Sequence, residues 1–295
     1  MKILLFSRPQ VAHTPEALRR LFEAARERGF EIAVNEEFAP IAEQAAGVAL
    51  PESARYGARI APTPPDQAVM VCYGGDGTLL EGVHRLGGAP VPVAGIHAGH
   101  LGFLTGTAAL SAREAVDALM ERIAAGKLVV EPRSMLDVSG PLPEGVRLAL
   151  NEFTVQRHGA GLISVETLVD GQAVATYHGD GAILSTPTGS TAYSLSAGGP
   201  VVAPTCACLI LSPLAPHNLT MRPIVIPDSA VVTMRIRSRH AGCFVTLDNR
   251  TYPADEGAVF TIRRAEERIL LAVPHNISFY DTLRNKMMWG IDIRS

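Results

Sequence analysis

The sequence predicts two domains in series, an N-terminal open α/β sheet domain followed by a C-terminal all-β, β-sandwich-like domain. Three observations carry this. Over residues 1–126, short apolar runs alternate with stretches in which apolar residues recur at helical spacing. From Lys127 the pattern changes to many short strand-like runs set apart by turn residues, with few helices. A chain of 295 residues is long enough to bury two cores.

The elements follow in order. Residues 3–7 read as a first strand. Thr14 and Pro15 then offer an N-cap and a proline at the first helical position. Ala17, Leu18, Leu21, Phe22 and Ala25 recur at helical spacing until Gly29. A second strand covers 31–34, and within 35–67 only a helix near 41–46 is assigned. The apolar run 69–73 is a buried central strand, followed by a helix and by another strand over 91–95. Strands alternating with helices imply parallel pairing, and ligands of such sheets lie beyond the carboxyl ends of the strands. A helix opening on the capping box Ser111–Glu114 ends at Gly126. Strand-like runs then cover 128–132, 136–139, 147–156, 162–169, 172–177, 207–211, 230–236, 244–247, 258–262 and 269–273. The first domain is therefore 1–126, to which 278–295 return, and the second is 127–277.

Composition narrows the function. Hydrophobic residues make up 47% and charged residues 19%, too apolar for disorder. A net charge of −3 leaves no basic footprint for nucleic acid, and 5% aromatics argue against a base-stacking platform. No apolar run approaches the roughly 18 residues of a membrane span, and the start reads as a strand and not a signal peptide. The expectation is a cytoplasmic protein without membrane or nucleic-acid partners. Cys206-x-Cys208 lacks metal-ligand spacing, so Cys72, Cys206, Cys208 and Cys243 are expected as buried free thiols. His84, His158, His217 and His275 are scattered, and no metal-ligating set is predicted.

Gly74-Gly75-Asp76-Gly77-Thr78 follows the central strand and opens a helix. Glycines let the backbone approach a ligand, and amides at a helix N-terminus attract phosphate. A carboxylate in a cation-free phosphate turn needs a reason. One is that Asp76 takes the proton of a hydroxyl attacking a phosphoryl group; the other is a plain cap or Asx turn. Residues 179–196 crowd small residues and hydroxyls into a turn before a short helix, suited either to a polar ligand or simply to capping. Asn151-Glu152 breaks an apolar run with an amide and a carboxylate, good acceptors for vicinal ribose hydroxyls or a charged strand edge facing water.

Taken together, these stretches resemble the NAD kinase family. The resemblance rests on Gly74-Gly75-Asp76-Gly77-Thr78, residues 95–104, Asn151-Glu152, residues 180–196 and the run 213–223. It implies a site between an α/β and an all-β domain, and phosphoryl transfer from ATP or polyphosphate to the 2′-hydroxyl of the adenosine ribose of NAD. By position, Asp76 would be the general base, with Gly74, Gly75, Gly77 and Thr78 at the phosphates. Asn151 and Glu152 would bind ribose and phosphate oxygens of NAD, and Phe103 and Leu104 would wall the adenine. His178, Asp180, Thr188, Thr191, Ala192, Tyr193 and Ser196 would complete the dinucleotide pocket. The resemblance further implies a divalent cation, Mg²⁺ carried with ATP, and a homodimer or homotetramer. His97, His178 and Asp248-Asn249-Arg250 depart from the commoner residues of the family. A lipid kinase of the diacylglycerol or sphingosine type shares the glycine turn, but the hydroxyl-rich 188–196 segment suits a polar acceptor better. A dinucleotide-binding regulator without activity would have no use for Asp76.

Overall fold

The computed structural model describes residues 1–10, 14–58, 60, 64, 66–97, 102–105, 110–159, 161–237, 242–273 and 277–290. Ala98, Gly99, His100, Leu101 and His275, all read from the sequence above, lie outside them. The chain divides into two compact units, Met1–Pro132 with Ile269–Ser295, and Arg133–Arg268.

The first unit runs β1 (Lys2–Phe6), α1 (Pro15–Glu27), β2 (Glu31–Asn35), α2 (Ala39–Ala46), β3 (Arg55–Tyr56), β4 (Ala68–Tyr73), α3 (Asp76–Leu86), β5 (Val93–Ile96) and α4 (Ala112–Ala124). Its strands lie in the order β3-β2-β1-β4-β5, all parallel. Every residue of β4 is buried, as befits a strand covered on both faces. Alternation along the strands sends Ile3 and Leu5 of β1 and Val69 and Val71 of β4 into a core with Leu18, Leu21, Val116 and Met120 of α1 and α4. The capping box of α4 forms as predicted: the Glu114 amide donates to Ser111 Oγ at 3.3 Å, and the Ser111 amide donates to Glu114 Oε2 at 2.8 Å. Thr14 precedes α1, but its hydroxyl caps nothing; its amide instead donates to the Tyr73 hydroxyl at 3.1 Å.

Strand order decides where this unit can bind a ligand. From β1 the chain steps one way to β2, while β4 pairs with the other side of β1. The sheet therefore changes direction at the β1/β4 pair, which opens a crevice beyond their carboxyl ends. Ser7 and Arg8 leave β1 there, and Gly74 and Gly75 leave β4 there.

The second unit continues through β6 (Val130–Ser139), β7 (Leu148–Ala149), β8 (Glu152–Arg157), β9 (Ile163–Val169), β10 (Gln172–Gly179), β11 (Gly181–Ser185), the single-turn α5 (Tyr193–Ser196), β12 (Cys208–Leu214), β13 (Ile224–Pro227), β14 (Val232–Arg237), β15 (Cys243–Leu247), β16 (Arg250–Ala254) and β17 (Val259–Ala272). One antiparallel sheet has the order β13-β12-β11-β8-β15-β16. The other runs β10-β9-β14-β17, with β6 along β17 and β7 along β6. Phe153, Leu184 and Val245 from the first sheet share a core with Ile163, Met234 and Phe260 from the second. The Phe153 and Phe260 rings are 5.2 Å apart. After β17 comes α6 (Phe279–Met287), in the first unit, capped by Ser278 and Asp281.

Residues 181–185 form a fully buried strand and not part of a turn, because β8 and β12 flank them on both sides. The runs 258–262 and 269–273 belong to one strand, while 147–156 breaks at Leu150-Asn151. Only Cys72 and Cys243 are buried; Cys206 is exposed and Cys208 partly so, since they stand at the outer start of β12. Among the described residues no helix is long and apolar enough to cross a membrane.

Candidate active site

Gly75 caps α3 in extended backbone, and Asp76 is the first helical residue. The amides of Gly75, Asp76 and Gly77 precede the first intrahelical bond and have no acceptor within the helix. The Asp76 carboxylate turns onto the segment 102–105. Oδ2 accepts the Phe103 amide at 2.7 Å, and Oδ1 accepts the Leu104 and Thr105 amides and the Thr105 hydroxyl, each at 3.1 Å. Gly102 allows this approach: a Cβ there would stand 1.8 Å from Asp76 Oδ1. Asp76 thus organises the loop carrying Phe103 and Leu104, a role the spacing did not reveal.

Nor is the turn free of cations. Arg8 leaves β1 beside it and donates from Nε to Thr78 Oγ1 at 3.3 Å. Lys286 of α6 brings Nζ to 3.7 Å from Asp76 Oδ2 and to 4.6 Å from the centre of the Phe103 ring. The parallel pairing of β1 with β4 gave the one available sign of Arg8. Lys286 lies 210 positions beyond Asp76, and nothing local announced it.

In the second unit, antiparallel register gathers a second group. Glu152 opens β8 opposite Ser185, the last residue of β11, and Leu247 at the end of β15 stands opposite Phe153. Asp248 follows at once, and its carboxylate accepts the amides of Leu150, Asn151 and Glu152 at 2.8, 2.6 and 3.2 Å. On the carbonyl side, Thr186 Oγ1 donates to Leu150 at 2.6 Å and the Thr186 amide to Asn151 at 2.8 Å. Gly189 lets the turn Thr188–Thr191 lie against this backbone, since a Cβ would stand 2.2 Å from the Asn151 oxygen.

Its backbone so clamped, the segment leaves its side chains unused. Asn151 Oδ1, Glu152 Oε2 and Thr188 Oγ1 are buried polar atoms without a hydrogen-bond partner in the structure. Burial, and then the like charge of Asp248, push the Glu152 carboxyl up to about 8, against donation from the Tyr193 amide. Buried polar atoms are otherwise almost always paired, so three together mark a place made for a polar ligand. Asp248→Ala is expected to lower the unfolding free energy by about 3 kcal/mol, since three amides lose their acceptor. Urea unfolding checks it, and an unchanged midpoint would contradict the clamp.

The remaining residues read from the sequence lie further along. Asp180 precedes β11 and so stands at the opposite end of that strand from Ser185, roughly 16 Å away for five extended residues. It accepts Arg157 Nε at 2.6 Å, at the far end of β8. Asp180, Tyr193 and Ser196 line a cavity of about 440 Å³ with Gln156, Leu214 and Phe244. Tyr193 links this cavity to the Glu152 group, because its amide faces Glu152 while its hydroxyl meets Gln156. Thr191 donates to the Thr188 carbonyl at 3.4 Å, and Ala192 joins the turn to α5. His178, exposed on β10, shares a 2.7 Å hydrogen bond between Nδ1 and Ser164 Oγ. Arg250 donates from Nη2 to the Leu148 carbonyl at 2.8 Å and so props the same segment from below.

The profile described as the ATP-NAD kinase N-terminal domain matches residues 3–127, and that of the ATP-NAD kinase C-terminal domain matches 150–273. This chain belongs to the NAD kinase family. The NAD kinase of Gemmatimonas aurantiaca is 38% identical over 282 residues, 94% of this chain and 92% of that one. The NAD kinase of Flavobacterium psychrophilum is 32% identical over the whole of both chains. Yeast NADH kinase complexed with NADH shares the fold, with a TM-score of 0.83 at 21% identity over 100% of this chain and 89% of that one. An NAD kinase from Archaeoglobus fulgidus in complex with ATP aligns with a TM-score of 0.74 at 25% identity, over 98% of each. Within the NAD kinase family, the N-terminal match covers Asp76 and the C-terminal match covers Glu152, Tyr193 and Asp248.

Proposed function

We propose that this NAD kinase transfers the γ-phosphoryl of ATP, or a terminal phosphoryl of polyphosphate, to the 2′-hydroxyl of the adenosine ribose of NAD, giving NADP. The observation that carries the reading is the trio of buried, unpaired atoms on Asn151, Glu152 and Thr188. Sugar hydroxyls donate, and an amide carbonyl, a carboxyl oxygen and a threonine hydroxyl accept them. The adjoining cavity of Asp180, Tyr193 and Ser196 suits the rest of a dinucleotide, with the tyrosine ring as a flat apolar face. Thr191, Ala192 and His178 belong to the rim of that pocket in this reading.

Phosphoryl chemistry falls to the first unit. Amides of Gly75, Asp76 and Gly77 and the Arg8 guanidinium, held by the buried Thr78 hydroxyl, meet the phosphate oxygens. Asp76 takes the proton of the acceptor hydroxyl. The new O–P bond forms as the bond from Pγ to its bridging oxygen breaks, whose electron pair stays on the leaving diphosphate. Phe103 and Leu104, held by Asp76, wall the base of the acceptor.

Among the described residues, no group of three or more His, Cys, Asp or Glu side chains is arranged to hold a metal ion. In this reading a divalent cation such as Mg²⁺ arrives with the donor, held by its phosphates and waters, on family membership alone. Such a cation would neutralise charge on those phosphates. A homodimer or homotetramer is part of the same reading, on family membership alone. With NAD, ATP and Mg²⁺, NADP should accumulate, with polyphosphate tested beside ATP and diacylglycerol as a control acceptor. Failure to form NADP with either donor would overturn the reading.

A further inference from the structure

We infer that Lys286 is a catalytic residue, an ammonium that touches both the acceptor hydroxyl and the phosphoryl group in flight. The inference deepens the kinase reading and rests on it.

It starts from the lone pairs of Asp76. A carboxylate offers about four acceptor positions, two on each oxygen. Oδ1 already accepts three donors, from Leu104 and twice from Thr105, while Oδ2 accepts the Phe103 amide. Among the described residues this leaves one open position, on Oδ2. Lys286 Nζ faces that oxygen at 3.7 Å. A hydroxyl that gives its proton to Asp76 must therefore approach Oδ2 alongside the Lys286 ammonium. At 3.7 Å the pair is too long for a hydrogen bond, so toward the described residues the three N–H groups remain available to a ligand. The Phe103 ring, 4.6 Å away, holds the ammonium over this spot by cation–π attraction.

The structural need for Lys286 is small. Four donors hold the Asp76 carboxylate without it, and its side chain is 33% exposed, where ion pairs add little to stability. The chemical need is large. Asp76 carries a negative charge toward a highly anionic donor, and the sequence holds no Gly-x-x-x-x-Gly-Lys-Ser/Thr lysine to offset it. Lys286, brought from the far end of the chain, fills that place. In the step, the acceptor proton passes to Asp76 Oδ2, the acceptor oxygen bonds Pγ, and the leaving diphosphate keeps the electron pair of the broken P–O bond. Lys286 keeps its own protons and donates one N–H to a Pγ oxygen.

The test compares the full-length enzyme with Lys286→Met, Lys286→Ala and Lys286→Arg, following NADP formation from NAD and ATP. NADP formation by the unaltered enzyme checks the kinase reading separately. The expected result is a fall in kcat of about 10²- to 10³-fold in the Met and Ala variants, the usual loss for one charge-stabilising donor. KM for NAD and the melting temperature should stay close to the parent. Arg should restore part of kcat, and added ethylammonium should partly rescue Lys286→Ala but not Lys286→Met. An active parent with kcat unchanged in Lys286→Met would overturn the inference and leave the kinase reading intact. A kcat loss that tracks a lower melting temperature, without amine rescue, would overturn it too.

Discussion

Asp76→Asn is expected to bind NAD and to form NADP about 10²- to 10⁴-fold more slowly, the range for loss of a positioned general base. NAD affinity should move far less than turnover, because the unpaired atoms assigned to NAD belong to Asn151, Glu152 and Thr188 and only the Phe103–Leu104 wall depends on Asp76. The substitution has a structural side as well. An asparagine oxygen can keep the Leu104 and Thr105 bonds, but its NH₂ would then face the Phe103 amide, donor against donor. A lower melting temperature should accompany the lost turnover. Measuring kcat well below the variant's melting temperature separates the two effects, because a folded variant then keeps only the loss of turnover. A variant turning over at the native rate would remove Asp76 from the proton transfer and leave it as the anchor of residues 102–105.

The second large effect concerns stability. Glu152 is 6% exposed, and burial with the Asp248 charge beside it raises its carboxyl to about 8 in the folded chain, from 4.5. The folded state therefore holds a proton that the unfolded state has released. Stability from this group is fully present below pH 4.5 and is lost as pH rises to about 8. At about 1.4 kcal/mol for each pH unit between the two values, the loss amounts to a few kcal/mol. Glu152→Gln is neutral at every pH and should be flat through this window, so that it becomes the more stable protein at alkaline pH. Denaturant unfolding at pH 5, 7 and 9 measures both curves; parallel curves would contradict the burial argument.

Much of this molecule was legible because its signals are local. The run 69–73 is apolar and β-branched, stops at glycines, and became the buried β4. Ser111 and Glu114 are three residues apart, and their capping box formed as written. What escaped depended on pairing across long stretches of chain. Residues 181–185 are Gly-Ala-Ile-Leu-Ser, a weak strand signal inside a hydroxyl-rich stretch, and became a strand only because β8 and β12 offered their edges. Cys206 looked apolar by its neighbours, yet the outer start of β12 leaves it exposed.

The same division runs through the site. Asp76, Asn151-Glu152 and the Thr188–Thr191 turn could be named as candidates from sequence only through the joint resemblance to the NAD kinase family, since each alone also fits a cap, a turn or a charged strand edge. Their partners could not. Asp248 reaches the amides of 150–152 only through the register of β15 against β8, Arg8 reaches Thr78 only through the β1/β4 pair, and Lys286 reaches Asp76 from a helix 210 positions away. Hydrogen bonds and ion pairs act over a few ångströms of space, and distance along a chain says nothing about that separation until the sheets have closed.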